Sequence, residues 1–222
     1  RPRGRENVFL LTDINNCEVT VLQYLSGDPK LQQFLFTGKD VYEQIYNLLT
    51  RDTCDTTNKR DICKLIFLPV IYGCGSKGLS KNINVSDMVA KDLIKRMNHY
   101  FPVAMDWIGQ QEHLAKTQGY LTDSLGRVRT FNEENYYTSR NFVIQAPAAT
   151  VCLEKLIEIQ QCQKVAFTVH DSYCIICKES MLKETHYKIK SIIEKESVIC
   201  PGLTLKMHSK FGYKLTELQD LK

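Results

Sequence analysis

Two groups of residues in this chain have the types and spacing for phosphate chemistry. Arg60, Lys64, Leu68 and Tyr72 recur every fourth residue within a run closed by Gly73-Cys74-Gly75. On an α-helix that spacing lines up two cations, an apolar plate and an aromatic ring along one face. Such a line suits a triphosphate at one end and a flat base at the other. An amphipathic helix with a solvated charged edge carries the same pattern. The second group is a pair of acids at strand ends. Asp13 follows the apolar run Val8-Phe9-Leu10-Leu11-Thr12, and Asp171 lies between two apolar runs, in Val169-His170-Asp171-Ser172-Tyr173. A carboxylate at the end of a buried strand is placed to ligate a metal at a sheet edge, or to cap the next helix.

The elements that must position these residues follow from periodicity and punctuation. The first apolar run predicts a buried strand that delivers Asp13 at its end. Helical patterns cover Glu18 to Leu25, Pro29 to Phe36 and Val41 to Leu49, separated by Ser26-Gly27-Asp28-Pro29 and Thr37-Gly38-Lys39-Asp40. The polar run 50–58 reads as a loop into the Arg60–Gly73 helix, where Pro69 predicts a kink. Two further helices are expected over Ser86–Tyr100 and Pro102–Gln118, with Gly119 as the stop. Residues 119–129 predict a hairpin with Arg127 and Arg129 on one face. A helix over 141–163 carries Asn141 and Gln145 one turn apart. Residues 164–177 form a tight hairpin with Asp171 at its tip, 181–195 a helix and 203–213 a closing strand. Strands at both ends with helices between them predict an α+β sheet domain with a helical insertion.

The bulk properties fit this reading. The chain has 222 residues, 43% hydrophobic and 24% charged, with a net charge of +4. That charge is too small to demand a polyanionic partner by itself, so a nucleic-acid surface must come from local clustering such as Arg1-Pro2-Arg3-Gly4-Arg5. No apolar run reaches membrane-span length and no signal-peptide pattern opens the sequence, which predicts an intracellular protein without a membrane partner. Nine cysteines are scattered without paired CxxC sets. Cys174-Ile175-Ile176-Cys177 has metal-like spacing inside an apolar, strand-like run, and free thiols in a reducing compartment are the simpler account. His99, His113, His186 and His208 have no ligand spacing. Trp107 is expected in a core, and the basic run 183–195 on a solvated helix face.

Taken in order, these pieces resemble family A DNA polymerases, the group of bacterial DNA polymerase I. Asp13, Glu18 and Leu25-Ser26-Gly27-Asp28 are similar to that family's first palm motif. Arg60, Lys64, Tyr72 and Gly73 fall at the spacing of its fingers helix. Gly119-Tyr120 with Gly126-Arg127-Val128-Arg129, then Asn141 and Gln145 with Ala148-Ala149, resemble the next blocks. Val169-His170-Asp171 resembles the last palm motif, and Leu203 to Tyr213 the C-terminal strand. The resemblance covers almost the whole chain. It implies an antiparallel palm sheet with a helical fingers insertion, a right-hand polymerase fold without a thumb in this stretch. The implied division is palm over 1–28, fingers over 29–118 and palm over 119–222.

The implied activity is template-directed addition of dNTPs to a primer 3′-hydroxyl, with primer-template DNA and dNTPs as partners and two Mg²⁺ ions as cofactors. Two-metal transfer needs two carboxylates holding ions about 4 Å apart; Asp13 and Asp171 are the strand-end acids so placed. By resemblance the backbone carbonyl of Ile14 joins them as a metal ligand. Arg60 and Lys64 neutralise the triphosphate, and Lys64 protonates the leaving pyrophosphate. Leu68 and Tyr72 contact the nucleotide, and Glu18 occupies the steric-gate position that excludes a ribose 2′-hydroxyl. Asn141, Gln145 and His170 touch the primer-template, and Arg127 and Arg129 its phosphates.

Several positions depart from the family pattern. Ser172 stands where a glutamate is usual, Leu68 replaces a bulky aromatic, and Pro69 a glycine. Tyr137 stands where an arginine is expected, with Arg140 nearby, and residues 14–17 and Thr20 loosen the first motif. Upstream thumb and exonuclease-type domains are expected in the same polypeptide or in another chain. Two further readings are a non-catalytic polymerase-derived module and a phage-type single-subunit RNA polymerase; Glu18 and the Gly-Arg-x-Arg hairpin argue against the latter.

Overall fold

The computed structural model describes residues 6–50 and 58–221. The Arg1–Arg5 cluster, Cys54 and most of the polar 50–58 run lie outside the described residues. In chain order the elements are β1 (Asn7–Asn15), α1 (Cys17–Ser26), α2 (Pro29–Phe36), α3 (Val41–Thr50), α4 (Lys59–Ile71), α5 (Ser76–Ile83), α6 (Asp87–Tyr100) and α7 (Pro102–Gln118). Then follow β2 (Tyr120–Thr122), β3 (Val128–Thr130), α8 (Ser139–Gln160), β4 (Val165–Val169), β5 (Ser172–Lys178), α9 (Leu182–Ile193), β6 (Lys206–Gly212) and β7 (Gln219–Leu221). The fold is α+β. Among the described residues no helix is long and apolar enough to cross a membrane. The chain divides into two compact units: one from the residues up to Glu18 and from Pro147 onward, the other Val19–Ala146.

The first unit is built on an antiparallel sheet in the order β4-β5-β1-β6-β7. β1 alternates strictly between half-exposed and buried residues, as a strand with one covered face must. Val8, Leu10, Thr12 and Ile14 point to that covered face, joined by Tyr173, Ile175 and Cys177 of β5 and Met207 and Ser209 of β6. α9 packs on β1, β5 and β6, burying Leu182, Thr185, Ile189 and Ile193 and leaving its lysines outside. Two buried hydroxyls, Thr12 Oγ1 and Ser209 Oγ, lie 3.0 Å apart across β1 and β6. His186 Nδ1 lies 3.2 Å from the same Ser209 oxygen, and burial lowers its imidazole below the ordinary range. Lys155 of α8 is fully buried; its ammonium donates to the Lys195 carbonyl just past α9 at 3.0 Å, where a helix end carries partial negative charge.

The second unit is a helical cluster around three edge-to-face aromatic pairs. Phe101 meets Phe67 with ring centroids 5.9 Å apart and Phe34 at 6.3 Å, and Phe67 meets Tyr42 at 6.4 Å. Arg96 of α6 donates to the Leu49 carbonyl in the last turn of α3 at 2.7 Å. Asp28 organises the entrance. Its Oδ1 accepts from the Lys30 and Leu31 amides at 2.9 and 3.0 Å, capping α2. Its Oδ2 accepts from the Ala104 amide at 3.0 Å. The sequence boundary after residue 28 therefore falls inside this unit, since one fully buried carboxylate ties α2 to α7. The boundary after residue 118 also falls inside it.

Several expectations need correction. β1 runs two residues beyond Asp13, so this acid lies within the strand rather than past its end, because β6 pairs with β1 as far as Asn15. No element was expected at residues 76–83, where α5 forms despite Gly78. Leu79 is fully buried there, and a Cβ at Gly78 would stand 2.7 Å from the Cys74 sulfur. The closing strand starts at Lys206 rather than 203, and β7, absent from the sequence reading, pairs with it. Trp107 is half-exposed rather than core; with Ser26, Pro102, Val103, Asp106 and Gln110 it lines an open cavity of about 470 Å³.

Asp28→Ala removes a helix cap and strands the buried Ala104 amide. The expected loss is about 3 kcal/mol of unfolding free energy, read as a lower denaturant midpoint with an unchanged slope. An unchanged midpoint would mean that the carboxylate is dispensable.

Candidate active site

In the first unit, strand pairing assembles an acidic cluster. Asp13 faces Ser172 on β5 and His208 on β6, and directly opposed residues in an antiparallel ladder share a face. The Ser172 hydroxyl donates to Asp13 Oδ1. His208 Nδ1 stands 4.0 Å from Asp13 Oδ2 and donates to Asn15 Oδ1 at 2.7 Å. β4 and β5 meet in a tight turn of His170 and Asp171, made possible by a left-handed His170 at φ +53°. The Ile14 amide donates to the Asp171 carbonyl at 3.2 Å. Asp171 is thus one residue across from Asp13, and the Ile14 carbonyl points to the same edge as its amide. Asp13 and Asp171 are both half-exposed, while the Ile14 side chain is buried. Glu18 lies in the first turn of α1, where the helix end favours an anion.

The donor set can be tested against the implied metal. Among the described residues, no three or more His, Cys, Asp or Glu side chains group as a metal cluster. Mg²⁺ is commonly held by one or two carboxylates with water and phosphate oxygens completing its octahedron. Asp13 and Asp171, with the Ile14 carbonyl, supply hard oxygen atoms of the kind that requirement calls for, and the Ser172 hydroxyl hydrogen-bonded to Asp13 is neutral where a third carboxylate would add charge.

In the second unit, α4 carries Arg60, Lys64, Leu68 and Tyr72 on successive turns, all half-buried. The opposite side of the helix buries Cys63, Ile66, Phe67, Val70 and Ile71, which fixes the rotation of the cationic face. Arg60 is ion-paired with Asp40. Arg60 Cζ and Lys64 Nζ lie 5.3 and 5.4 Å from the centroid of the Tyr42 ring, a distance at which a cation is attracted to the ring face. Pro69 sits in the last turns of α4, and its carbonyl accepts from the Cys74 amide at 2.8 Å. Tyr72 ends the helix, followed by Gly73 at φ +92°. A Cβ at Gly73 would approach the Arg140 side chain to 3.3 Å, and Arg140 is itself paired with Glu112.

Asn141 and Gln145 lie one turn apart near the start of α8, half-buried and exposed respectively; His170 is exposed at its turn. Arg127 and Arg129 alternate across the start of β3, but their guanidinium groups are differently engaged. Arg127 donates to Asp123 Oδ2 at 2.8 Å and to the Ala146 carbonyl. Arg129 donates to the Thr138 hydroxyl at 3.3 Å and lies over the Phe131 ring at 5.4 Å. The sequence reading missed Asp40 and Tyr42, which hold the α4 cations, and His208 beside Asp13. No local signal marks Asp40 or Tyr42; His208 could have been found from its outward parity on the last strand.

DNA polymerase family A matches residues 1–217, and the chain belongs to that family. It is 26% identical over 209 residues to DNA polymerase I of Helicobacter pylori, covering 87% of this chain and 23% of that protein. It is 22% identical over 228 residues to DNA polymerase theta of Caenorhabditis elegans, covering 96% of this chain and 14% of that one. The chain therefore spans less than a quarter of these relatives. In fold it is similar to the POL domain of Pol1 from M. smegmatis, solved in complex with DNA primer-template and dNTP, with a TM-score of 0.80 at 20% identity over 95% of this chain and 40% of that one.

Asp40→Asn keeps a side chain able to cap α3 while releasing the Arg60 cation. Binding of inorganic tripolyphosphate, measured by titration calorimetry, is expected to tighten about fivefold, the worth of one partly exposed ion pair near 1 kcal/mol. The gain should shrink with added salt. Unchanged affinity would mean that Asp40 does not compete for Arg60.

Proposed function

We propose that this chain is the nucleotidyl-transfer segment of a DNA-directed DNA polymerase, extending a primer 3′-hydroxyl with dNTPs on a DNA template. The observation that carries the reading is the pair of half-exposed acids, Asp13 within β1 and Asp171 in the turn that leads into β5, beside the residue paired with Asp13. The family membership and the likeness to a polymerase solved with primer-template and dNTP support it.

In this reading Asp13, Asp171 and the Ile14 carbonyl hold two Mg²⁺ ions. When bound, these supply charge neutralisation for the attacking and leaving oxygens. Ser172 donates to one oxygen of Asp13 and so orients its carboxylate. Arg60 and Lys64 neutralise the triphosphate, and Lys64 gives a proton to the departing pyrophosphate. Leu68 forms an apolar plate for the nucleotide and Tyr72 closes on the base. Glu18 fills the volume that a ribose 2′-hydroxyl would occupy. Asn141, Gln145 and His170 contact the primer-template in the minor groove, where acceptors are similar for all pairs. Arg129 contacts phosphate, and Arg127 shapes the hairpin that presents it. Further polymerase domains complete the duplex-binding surface.

Primer extension with Mg²⁺, using the polypeptide that carries this chain, tests the proposal. Asp171→Asn is expected to cut dNTP incorporation about a thousandfold or more, on the order of 4 kcal/mol of activation free energy, with duplex binding kept. Glu18→Ala is expected to admit rNTPs that the unaltered protein rejects. A folded protein that binds duplex but extends nothing would overturn the catalytic reading. Extension with rNTPs alone would replace it by RNA synthesis.

A further inference from the structure

Apart from the groups assigned above, two nucleophilic side chains meet inside the first unit. Cys17 opens α1 and Cys152 lies on α8, 135 positions later, with their sulfurs 3.9 Å apart. Their residues are only 5% and 8% exposed. A disulfide bond is about 2 Å long, so each sulfur has about 1 Å to travel, within reach of small side-chain rotations. The surroundings hold both residues in place: the Tyr173 hydroxyl donates to the Cys152 carbonyl at 2.8 Å, and Cys17 follows Asn16, whose left-handed φ of +52° turns the chain from β1 into α1.

We propose that Cys17 and Cys152 are an oxidisable dithiol, which hydrogen peroxide converts into a reversible disulfide tying the first turn of α1 to α8. One thiolate attacks a peroxide oxygen, giving a sulfenic acid and releasing water. The other sulfur then attacks the sulfenic sulfur, forms the S–S bond and releases a second water. Two thiols lose two electrons and two protons in all, and the peroxide is reduced to water.

Two other buried thiols are poorer candidates. Burial pushes the Cys63 thiol up to about 12 and the Cys174 thiol up to about 11, which leaves little thiolate to react. In the pair, the hydrogen bond from Cys17 holds Cys152 below its ordinary value and raises Cys17. The cross-link would join two segments far apart in sequence, on either side of the second unit. It would hold α1 at the residue directly before Glu18, and with it the end of the strand that bears Asp13.

The test treats the folded, fully reduced polypeptide with hydrogen peroxide, blocks residual thiols under denaturing conditions and maps the peptides without reduction. The expected product is a peptide pair joined through residues 17 and 152, lighter by two hydrogens and separated again by dithiothreitol. Cys17→Ser and Cys152→Ala should each lose it, and Cys63→Ala should keep it. The thermal midpoint of the oxidised chain should rise. Full alkylation of Cys17 and Cys152 while other thiols oxidise would overturn the proposal. So would an equal yield of the same pair from urea-unfolded chain, where nine cysteines pair without guidance from the fold.

Discussion

The register of β1 between β5 and β6 is the constraint on which the acidic cluster of the first unit depends. Side chains in a strand alternate with period two, so a slip of one residue would move every side chain to the other face. Asp13 would then enter the covered face against α9, and Thr12 would take its place in the open. The register is held by the burial of Val8, Leu10 and Ile14 and by the hydroxyl pair of Thr12 and Ser209. Hydrophobic burial and one polar contact on the hidden side thus decide the chemistry presented on the other. The left-handed His170 matters for the same reason, because it lets β4 and β5 reverse in two residues and leaves Asp171 at the edge opposite Ile14.

The cationic helix is organised by a different balance. α4 is oriented by its buried side, and Phe67 at its centre joins Tyr42 and Phe101 in the aromatic cluster of the second unit. Tyr42 then serves two functions: its ring packs in the core while its face attracts Arg60 and Lys64. Two like charges one turn apart repel by a few tenths of a kcal/mol on a helix surface, and the shared ring together with Asp40 offsets this. Arg60 therefore has an anionic partner within the protein. In the proposed reading, an incoming polyphosphate would compete with that carboxylate for Arg60.

Most of the helices, both hairpins and the order of the motifs were legible from residue patterns. α2 was placed from Asp28-Pro29 and its apolar spacing, α6 from the Ser86 cap, and α7 from Pro102 and Gly119; each boundary is a local backbone effect of capping, fixed φ or a left-handed stop. The four-residue recurrence of Arg60, Lys64, Leu68 and Tyr72 was legible because helix geometry converts spacing into a shared face without help from the rest of the fold. α5 was not legible, since Gly78 weakens its helical pattern and its formation depends on the burial of Leu79. β7 is three residues long and exists by pairing with β6.

What the sequence by itself determined is therefore what short-range chemistry controls: the α+β class, the limits of the capped helices, the turn that carries Asp171 and the cationic face of α4. What tertiary structure alone decided is which distant residues became neighbours. Asp13 acquires Ser172 and His208 through strand pairing, Arg60 acquires Asp40 and Tyr42 through the packing of α3 on α4, and Cys17 acquires Cys152 across 135 positions. None of these partners is signalled by spacing, because each contact is set by how buried faces fit together, and that fit is a property of the whole core rather than of any segment.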